Sequence, residues 1–131
     1  MKLLKILLID DDIMTNFINE KNLRKHFLNN EIKSFISAIN ALEYIISSFK
    51  ENNTQKNLIF VDINMPKMDG WEFLDEYKKL PDDLKATNHI YMLSSTCNKN
   101  DIEKSKHYSS VKSFFTKPLT HDNINLIHSS I

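Results

Sequence analysis

Polar side chains follow four of the apolar runs in this sequence, and their types suit the handling of a phosphoryl group. They are the carboxylates Asp10, Asp11, Asp12 and Asp62, the hydroxyls Ser94 and Ser95, and the ammonium of Lys117. Converging carboxylates repel one another unless a hard cation lies between them, and Mg²⁺ binds oxygen ligands of this kind. A carboxylate can accept a phosphoryl group, which an ammonium and a hydroxyl then stabilise. The pattern predicts phosphoryl transfer onto Asp62, provided that the fold brings these groups together.

The elements that would position these groups are short apolar runs, which are typical of buried strands. The predicted strands are residues 3–9, 32–36, 58–61, 90–93 and 111–115. Segments with helical spacing alternate with them: residues 13–29, a helix capped by Ser37, a helix that starts at Gly70, residues 100–107, and a helix capped by Thr120. The alternation predicts a doubly wound α/β fold, a parallel sheet with helices on both faces. Ligands of such folds bind at the carboxyl ends of the strands.

The first predicted helix has an imperfect apolar stripe. Asp12 is a suitable N-cap, and Met14 and Ile18 are four positions apart, as are Leu23 and Phe27. This spacing predicts that the four apolar side chains lie on one helical face.

Two further helix starts carry the pattern of a capping box. Asp69 and Glu72 have the required spacing, and so do Asn100 and Glu103, which open a short, polar helix. We therefore expect helices to begin at these two places.

Composition excludes several classes of protein. Lys and Arg together number 17, as do Asp and Glu, so no net charge attracts nucleic acid or an anionic membrane. The single cysteine, Cys97, permits no intrachain disulfide, which fits a reducing compartment. No apolar run approaches the roughly 20 residues of a membrane-spanning helix, and no secretory leader is recognisable. These features predict a soluble cytoplasmic protein that binds no nucleic acid and does not insert into a membrane.

Cysteine and histidine supply no further site in the sequence. Cys97 is interpreted as an ordinary loop thiol. The five histidines show no metal-ligand spacing, and His26, His107 and His128 are interpreted as solvated helix residues.

The sequence resembles the receiver domain of response regulators in two-component signalling, over essentially its whole length. The matching stretches are residues 9–12 (IDDD), 61–70 (VDINMPKMDG), 93–95 (LSS) and 114–118 (FFTKP). The resemblance implies a flavodoxin-like (βα)5 fold with strand order 2-1-3-4-5. It also implies one receiver domain over residues 1–131, with no output domain.

The resemblance further implies an acceptor site that depends on Mg²⁺. Asp62 corresponds to the phosphoacceptor of the family, and Asp10 and Asp11 correspond to its metal-binding acidic pair. Asp62 and the backbone carbonyl of Asn64 would complete the protein ligands of Mg²⁺.

The remaining matched residues correspond to parts of the family's switch. Ser94 stands where a Thr or Ser binds the phosphoryl group and moves on activation, and Lys117 matches the family's lysine, which is followed by a commonly cis proline. Phe114 stands at the aromatic switch position. Asn64 and Thr96 match positions that tune the lifetime of the phosphoryl group.

These implications add up to a phosphorylation-dependent signalling switch. The expected donor is a histidine kinase or a histidine phosphotransfer protein. Because no output domain follows residue 131, the expected output is a contact with a downstream target or relay protein, made by a monomer or weak dimer. The protein is expected not to be an enzyme, beyond its own phosphoryl transfer and autodephosphorylation.

Two alternatives remain open at this point. Asp10 and Asp12 form an Asp-x-Asp pair after the first strand, which resembles Mg²⁺-dependent phosphatases of the haloacid dehalogenase type, with Asp10 as nucleophile. Met14 stands where that motif has Thr or Val. The second alternative is a receiver fold that binds partners without phosphorylation.

Overall fold

The computed structural model describes residues 4–96 and 98–131, so Cys97 and the first residue of the predicted first strand lie outside the described residues. The strands are β1 Leu4–Ile9, β2 Glu31–Phe35, β3 Lys56–Asp62, β4 Asn88–Ser94 and β5 Val111–Thr116. They form one sheet in the order β2-β1-β3-β4-β5, and all four pairings are parallel. The predicted fold and strand order are confirmed. The chain reverses its winding direction between β1 and β3, which places that edge at the switch point.

Helices cover both faces of the sheet. They are α1 Ile13–Arg24, α2 Ala38–Glu51, α3 Gly70–Tyr77, α4 Asp82–Lys85, α5 Lys99–Ser105 and α6 His121–Ser129. The element α4 is a single turn in the stretch that links α3 to β4.

Each face of the sheet has its own apolar core, because successive residues of a buried strand point to opposite faces. On one face, Leu58 and Phe60 of β3 belong to a cluster that α1, the turn after it and α6 complete with Leu23, Phe27, Ile124 and Ile127. On the other face, Ile59 and Val61 belong to a cluster that α2 and α3 complete with Ala41, Ile45, Phe73 and Leu74. We call these the α1–α6 layer and the α2–α3 layer.

Four of the predicted helix starts have the expected caps. The hydroxyl of Ser37 accepts a hydrogen bond from the backbone of Asn40 at the start of α2. The carboxylate of Asp12 accepts hydrogen bonds from the backbone of Met14 and Thr15 at the start of α1. Asp69 and Glu72 form the predicted capping box of α3. The hydroxyl of Thr120 accepts from the backbone of Asn123 in α6.

The predicted capping box at Asn100 is wrong. Asn98 is the N-cap of α5, because its side chain accepts a hydrogen bond from the backbone of Asn100 at 2.8 Å. Residue 100 is therefore already inside the helix, which ends at Ser105 rather than at residue 107.

The expected length and apolar stripe of the first helix are also wrong in part. Helix α1 ends at Arg24 rather than at residue 29, and Met14 and Ile18 are 63% and 40% exposed. The buried side chains of α1 are those of Asn16, Asn19 and Leu23. The asparagines take the inward positions because their amides bind backbone groups at the carboxyl edge of the sheet, as described below.

Candidate functional site

Three carboxylates meet at the carboxyl edge of the sheet. Asp10 follows β1 directly, Asp11 is its neighbour, and Asp62 is the last residue of β3. One oxygen from each of the three lies within 4.8 Å of the others. Asp10 and Asp62 are buried and Asp11 is exposed, so the group opens to solvent on one side. Hard oxygen ligands in this arrangement fit Mg²⁺, which binds carboxylates and retains several waters.

The ammonium of Lys117 bridges the two buried carboxylates. Its Nζ lies 2.9 Å from Oδ2 of Asp10 and 3.3 Å from Oδ1 of Asp62. Lys117 follows β5, precedes a cis peptide bond to Pro118, and donates its backbone N–H to the carbonyl of Ser94 at 2.7 Å. The lysine predicted from the end of the fifth strand is thus in contact with the predicted acceptor.

The surroundings of Asp62 disfavour its ionised form. Burial, together with the charge of Asp10, raises the pKa of Asp62 to about 6, although Lys117 and a backbone hydrogen bond from Asn64 oppose the shift. Burial disfavours the charged form of Lys117, but its hydrogen bond to Asp10 and the charge of Asp62 outweigh burial and raise its pKa. A divalent cation beside Asp62 would favour its ionised form.

An open cavity of about 490 Å³ lies over these groups. Its lining includes Asp11, Asp62, Asn64, Ser95, Lys117 and Ile18. Asn64 is exposed at the mouth of the cavity. The cavity gives solutes access to Asp62.

The two serines after β4 occupy different environments. Ser94 is 1% exposed, and its Oγ accepts a hydrogen bond from the backbone of Thr96 at 3.2 Å. Ser95 is exposed and lines the cavity. Ser95, rather than the predicted Ser94, therefore has the more solvent-exposed hydroxyl beside Asp62. The roles of Ser94 and Thr96 stay predictions.

Phe114 lies away from the carboxylates. Its ring is half-buried against the core of the α2–α3 layer, and it lines a groove of about 300 Å³ together with Ile102 and Val111. The groove runs between α5 and β5. A switch role for Phe114 stays a prediction.

Three asparagines of α1 hold the backbone of the site, and none of them was predicted from the sequence. The amide of Asn16 donates to the carbonyl of Asp10 at 2.8 Å. The amide oxygen of Asn19 accepts from the N–H of Leu119 at 2.8 Å, and the amide of Asn22 donates to the carbonyl of Leu119 at 3.0 Å. These three residues, the asparagine ladder, fix the segments that carry Asp10 and Lys117. Their spacing of three positions was the signal that could have revealed them.

The single glycine of the chain is required by close packing. A Cβ atom at Gly70 would lie 2.6 Å from the carbonyl oxygen of Asp62 and 2.9 Å from the Cα of Ile63. The N–H of Gly70 donates to the carbonyl of Ile63 at 2.8 Å. The start of α3 can approach the end of β3 so closely only because residue 70 has no side chain.

A comparison with known families agrees with this geometry. The model of the response regulator receiver domain matches residues 6–128. The chain belongs to this family. Receiver domains are signalling switches of two-component systems rather than typical enzymes, and they bind Mg²⁺ at an acidic pocket, which the cluster of Asp10, Asp11 and Asp62 matches.

Individual relatives extend over most of this receiver domain. Response regulator Rcp1 of Synechocystis sp. is 30% identical over 98 residues, which are 74% of this chain and 65% of that protein. The chain thus spans less than two thirds of the length of this relative.

Solved structures match it more completely. A two-component response regulator from Cytophaga hutchinsonii has a TM-score of 0.88 at 30% identity and covers 99% of this chain and 97% of its own. A response regulator receiver protein from Dyadobacter fermentans has a TM-score of 0.85 at 26% identity and covers 97% of this chain and 96% of its own.

Across the part of the receiver domain that the structure describes, no helix combines the length and apolar character needed to span a membrane.

Proposed function

We propose that this receiver domain accepts a phosphoryl group on Asp62 from the phosphohistidine of a histidine kinase or phosphotransfer protein. The nitrogen–phosphorus bond of the donor breaks as an oxygen of Asp62 bonds to phosphorus, and the imidazole leaves. The observation that carries this proposal is the position of Asp62. It lies between the acidic pair, with oxygens within 4.8 Å, and the ammonium of Lys117 at 3.3 Å.

The surrounding residues supply charge and orientation for this transfer. Asp10, Asp11 and Asp62 would hold Mg²⁺, with the carbonyl of Asn64 as a further ligand, and the ion would supply the positive charge that phosphoryl oxygens need during transfer. Lys117 already contacts Asp62 and becomes the partner of the phosphoryl oxygens.

Signalling then depends on the new charge, about −1.5 to −2. A hydroxyl at the end of β4, that of Ser94, binds the phosphoryl group, and Phe114 repacks in the groove between α5 and β5. A downstream target or relay protein that prefers the repacked face shifts the population towards it. Asn64 and Thr96, which are both exposed, tune how long the phosphoryl group survives.

Helix α1 has an exposed apolar surface, which favours a protein as the phosphoryl donor. Ile13, Met14, Phe17 and Ile18 of α1 are between 40% and 68% exposed, and we call them the apolar α1 surface. Ile18 also lines the cavity over Asp62, so this surface is continuous with the mouth of the site. A donor that delivers its phosphoryl group there must cover part of α1, and exposed apolar patches are typical of such contacts.

The phosphatase alternative is not favoured. In the Asp-x-Asp pair, the second carboxylate, Asp12, caps α1 and bonds the hydroxyl of Thr15 at 3.1 Å. Its pKa is lowered, chiefly by that hydrogen bond, so it is poorly suited to act as a general acid.

The direct test is incubation with Mg²⁺ and acetyl phosphate, followed by intact-protein mass spectrometry. We expect the mass gain of one phosphoryl group in the parent protein and no gain in Asp62→Asn. Chelation of Mg²⁺ should remove the gain as well. A mass gain that persists in Asp62→Asn would contradict the proposal.

A further inference from the structure

Two imidazoles meet at the surface between α1 and α6. Nε2 of His26 lies 3.2 Å from Nδ1 of His121, with the ring centroids 5.4 Å apart and the planes at 45°. His26 lies two residues beyond the end of α1, and His121 is the first residue of α6. The pair is separate from the carboxylates around Asp62.

The backbone that carries this pair is held in place from both sides. Asn19 and Asn22 bind the N–H and carbonyl of Leu119, two residues before His121. On the other side, Phe27 is buried and its ring packs against His128 of α6 at 5.1 Å. The separation of the two imidazoles is thus set by a fixed frame, and binding a ligand between them requires side-chain rotation only.

We propose that His26 and His121 form a binding site for a late first-row divalent cation such as Zn²⁺, Ni²⁺ or Cu²⁺. Imidazole nitrogen is a preferred ligand of these ions. With metal–nitrogen bonds of about 2.1 Å, nitrogens 3.2 Å apart subtend an angle of about 100° at the metal, between octahedral and tetrahedral values. The pair already has the separation of two adjacent ligands.

Binding between the two inner nitrogens needs only a change of tautomer in one ring. In the hydrogen-bonded pair one ring donates its N–H to the other ring's nitrogen. When the cation binds, the donor ring changes tautomer, so that its proton moves to the outward nitrogen and both inner nitrogens become ligands. Water completes the coordination, since His121 is exposed and His26 is half-buried.

The charges around the pair permit a cation. His26 follows the C-terminal end of α1, where the helix dipole favours positive charge, and His121 begins α6, where the dipole opposes it. Asp122 and Lys25 are the charged sequence neighbours of the two histidines. The two dipole contributions have opposite signs, so the two nitrogens supply the attraction for the cation. The bound cation links the turn after α1 to the start of α6, whatever the phosphorylation state of Asp62.

The test is a titration of the full chain with Ni²⁺ in saturating Mg²⁺, which occupies the carboxylates. Each protein's unfolding temperature is compared with its own value before Ni²⁺ is added. We expect Tm to rise by about 3–5 °C in the parent protein and not to rise in His26→Asn or His121→Asn. The matched control His107→Asn changes an exposed histidine elsewhere and should keep the full rise.

Other outcomes would overturn the site. An equal rise in every variant, or a rise that disappears only in Asp11→Asn, assigns the Ni²⁺ to other ligands. A second measurement needs no variant: substoichiometric Cu²⁺ should broaden the ring proton NMR signals of His26 and His121 before those of His89 and His107. Broadening in any other order contradicts the proposal.

Discussion

Helices α1 and α2 place their side chains in opposite ways. Helix α2 buries Ala38, Ala41 and Ile45 against the sheet. Helix α1 buries Asn16 and Asn19 and exposes the apolar α1 surface. The first arrangement serves packing alone, whereas the second exchanges apolar burial for hydrogen bonds to the segments that carry Asp10 and Lys117. The difference separates a layer that stabilises the domain from a layer that builds its site.

The cost of the α1 arrangement explains why it is confined to the site. A buried amide destabilises the fold by several kcal/mol unless it is hydrogen-bonded. The asparagine ladder makes three such bonds, with distances from 2.8 to 3.0 Å. The apolar side chains that would otherwise be buried remain on the surface, where a partner can cover them.

The largest expected effects compare one buried residue from each layer. Ile45→Ala on α2 should lower the free energy of unfolding by about 3 kcal/mol through the cavity it leaves. The phosphorylation rate of the folded protein should not change. Asn19→Ala on α1 should cost about 2 kcal/mol, because the N–H of Leu119 loses its partner, and should also slow phosphorylation by acetyl phosphate.

Urea denaturation and the acetyl phosphate rate, measured on both variants, check this pair. Asn40→Ala, on the exposed face of α2, is the matched control and should change neither quantity. Unimpaired phosphorylation of Asn19→Ala would remove the distinction between the layers.

The next effect concerns the ionisation of Asp62. The pKa of Asp62 is about 6 in the folded protein, against the ordinary aspartate value of 3.8 in the unfolded chain. Between these values the folded state binds more protons than the unfolded state, so without Mg²⁺ stability falls as pH rises and the loss is complete above pH 6. Asp62→Asn should therefore be more stable than the parent by about 2 kcal/mol near pH 7, and equally stable near pH 3, where the carboxyl is protonated in both states.

Denaturation in a chelator across that range measures the difference. Mg²⁺ should reduce it at neutral pH, because the ion stabilises the ionised carboxylate. A difference that stays the same at every pH would mean that Asp62 does not carry the unfavourable charge.

A smaller effect isolates the apolar α1 surface. Phe17→Ser should slow transfer from a protein donor about tenfold, which corresponds to about 1.4 kcal/mol, and leave transfer from acetyl phosphate and stability nearly unchanged. Phe17 is 62% exposed, so little packing is lost. Ile39→Ser, which alters an exposed apolar residue of α2, should leave transfer from both donors unchanged. Equal losses with the two donors would place the effect of Phe17 on the site itself.

The smallest effect lies in the loop before α3. Lys67 has a φ of 67°, in the left-handed region that favours glycine. Lys67→Gly should raise the free energy of unfolding by up to about 1 kcal/mol. The acetyl phosphate rate should stay the same. Lys67→Ala, which retains a Cβ, serves as the comparison and should not be stabilising.

Features that depend on residues close together in the sequence were predictable. The apolar run of β3 predicted a strand with Asp62 at its carboxyl end, and the spacing of Asp69 and Glu72 predicted a capping box that the structure contains. The strand ends predicted that Asp10 and Lys117 would meet, because parallel strands bring their carboxyl ends to one edge.

Features that depend on packing were not predictable in the same way. The stripe of Met14 and Ile18 has the same spacing as a buried face, and only the position of Leu119 explains why asparagines take that place. His26 and His121 are 95 positions apart in the sequence, so their contact, which the packing of the α1–α6 layer creates, could not be predicted from local spacing. Asn98 and Asn100 are both plausible caps, and backbone geometry decides between them.

Gly70 turns the contact between α3 and β3 into a genetic constraint. A Cβ would come within 2.6 Å of the backbone at Asp62, so any other residue forces two backbones apart. In a saturation library selected for signalling, we expect position 70 to tolerate glycine alone, whereas position 67, in the loop before α3, accepts many residues. A neutral methyl group would then inactivate the switch as fully as the loss of a charged residue.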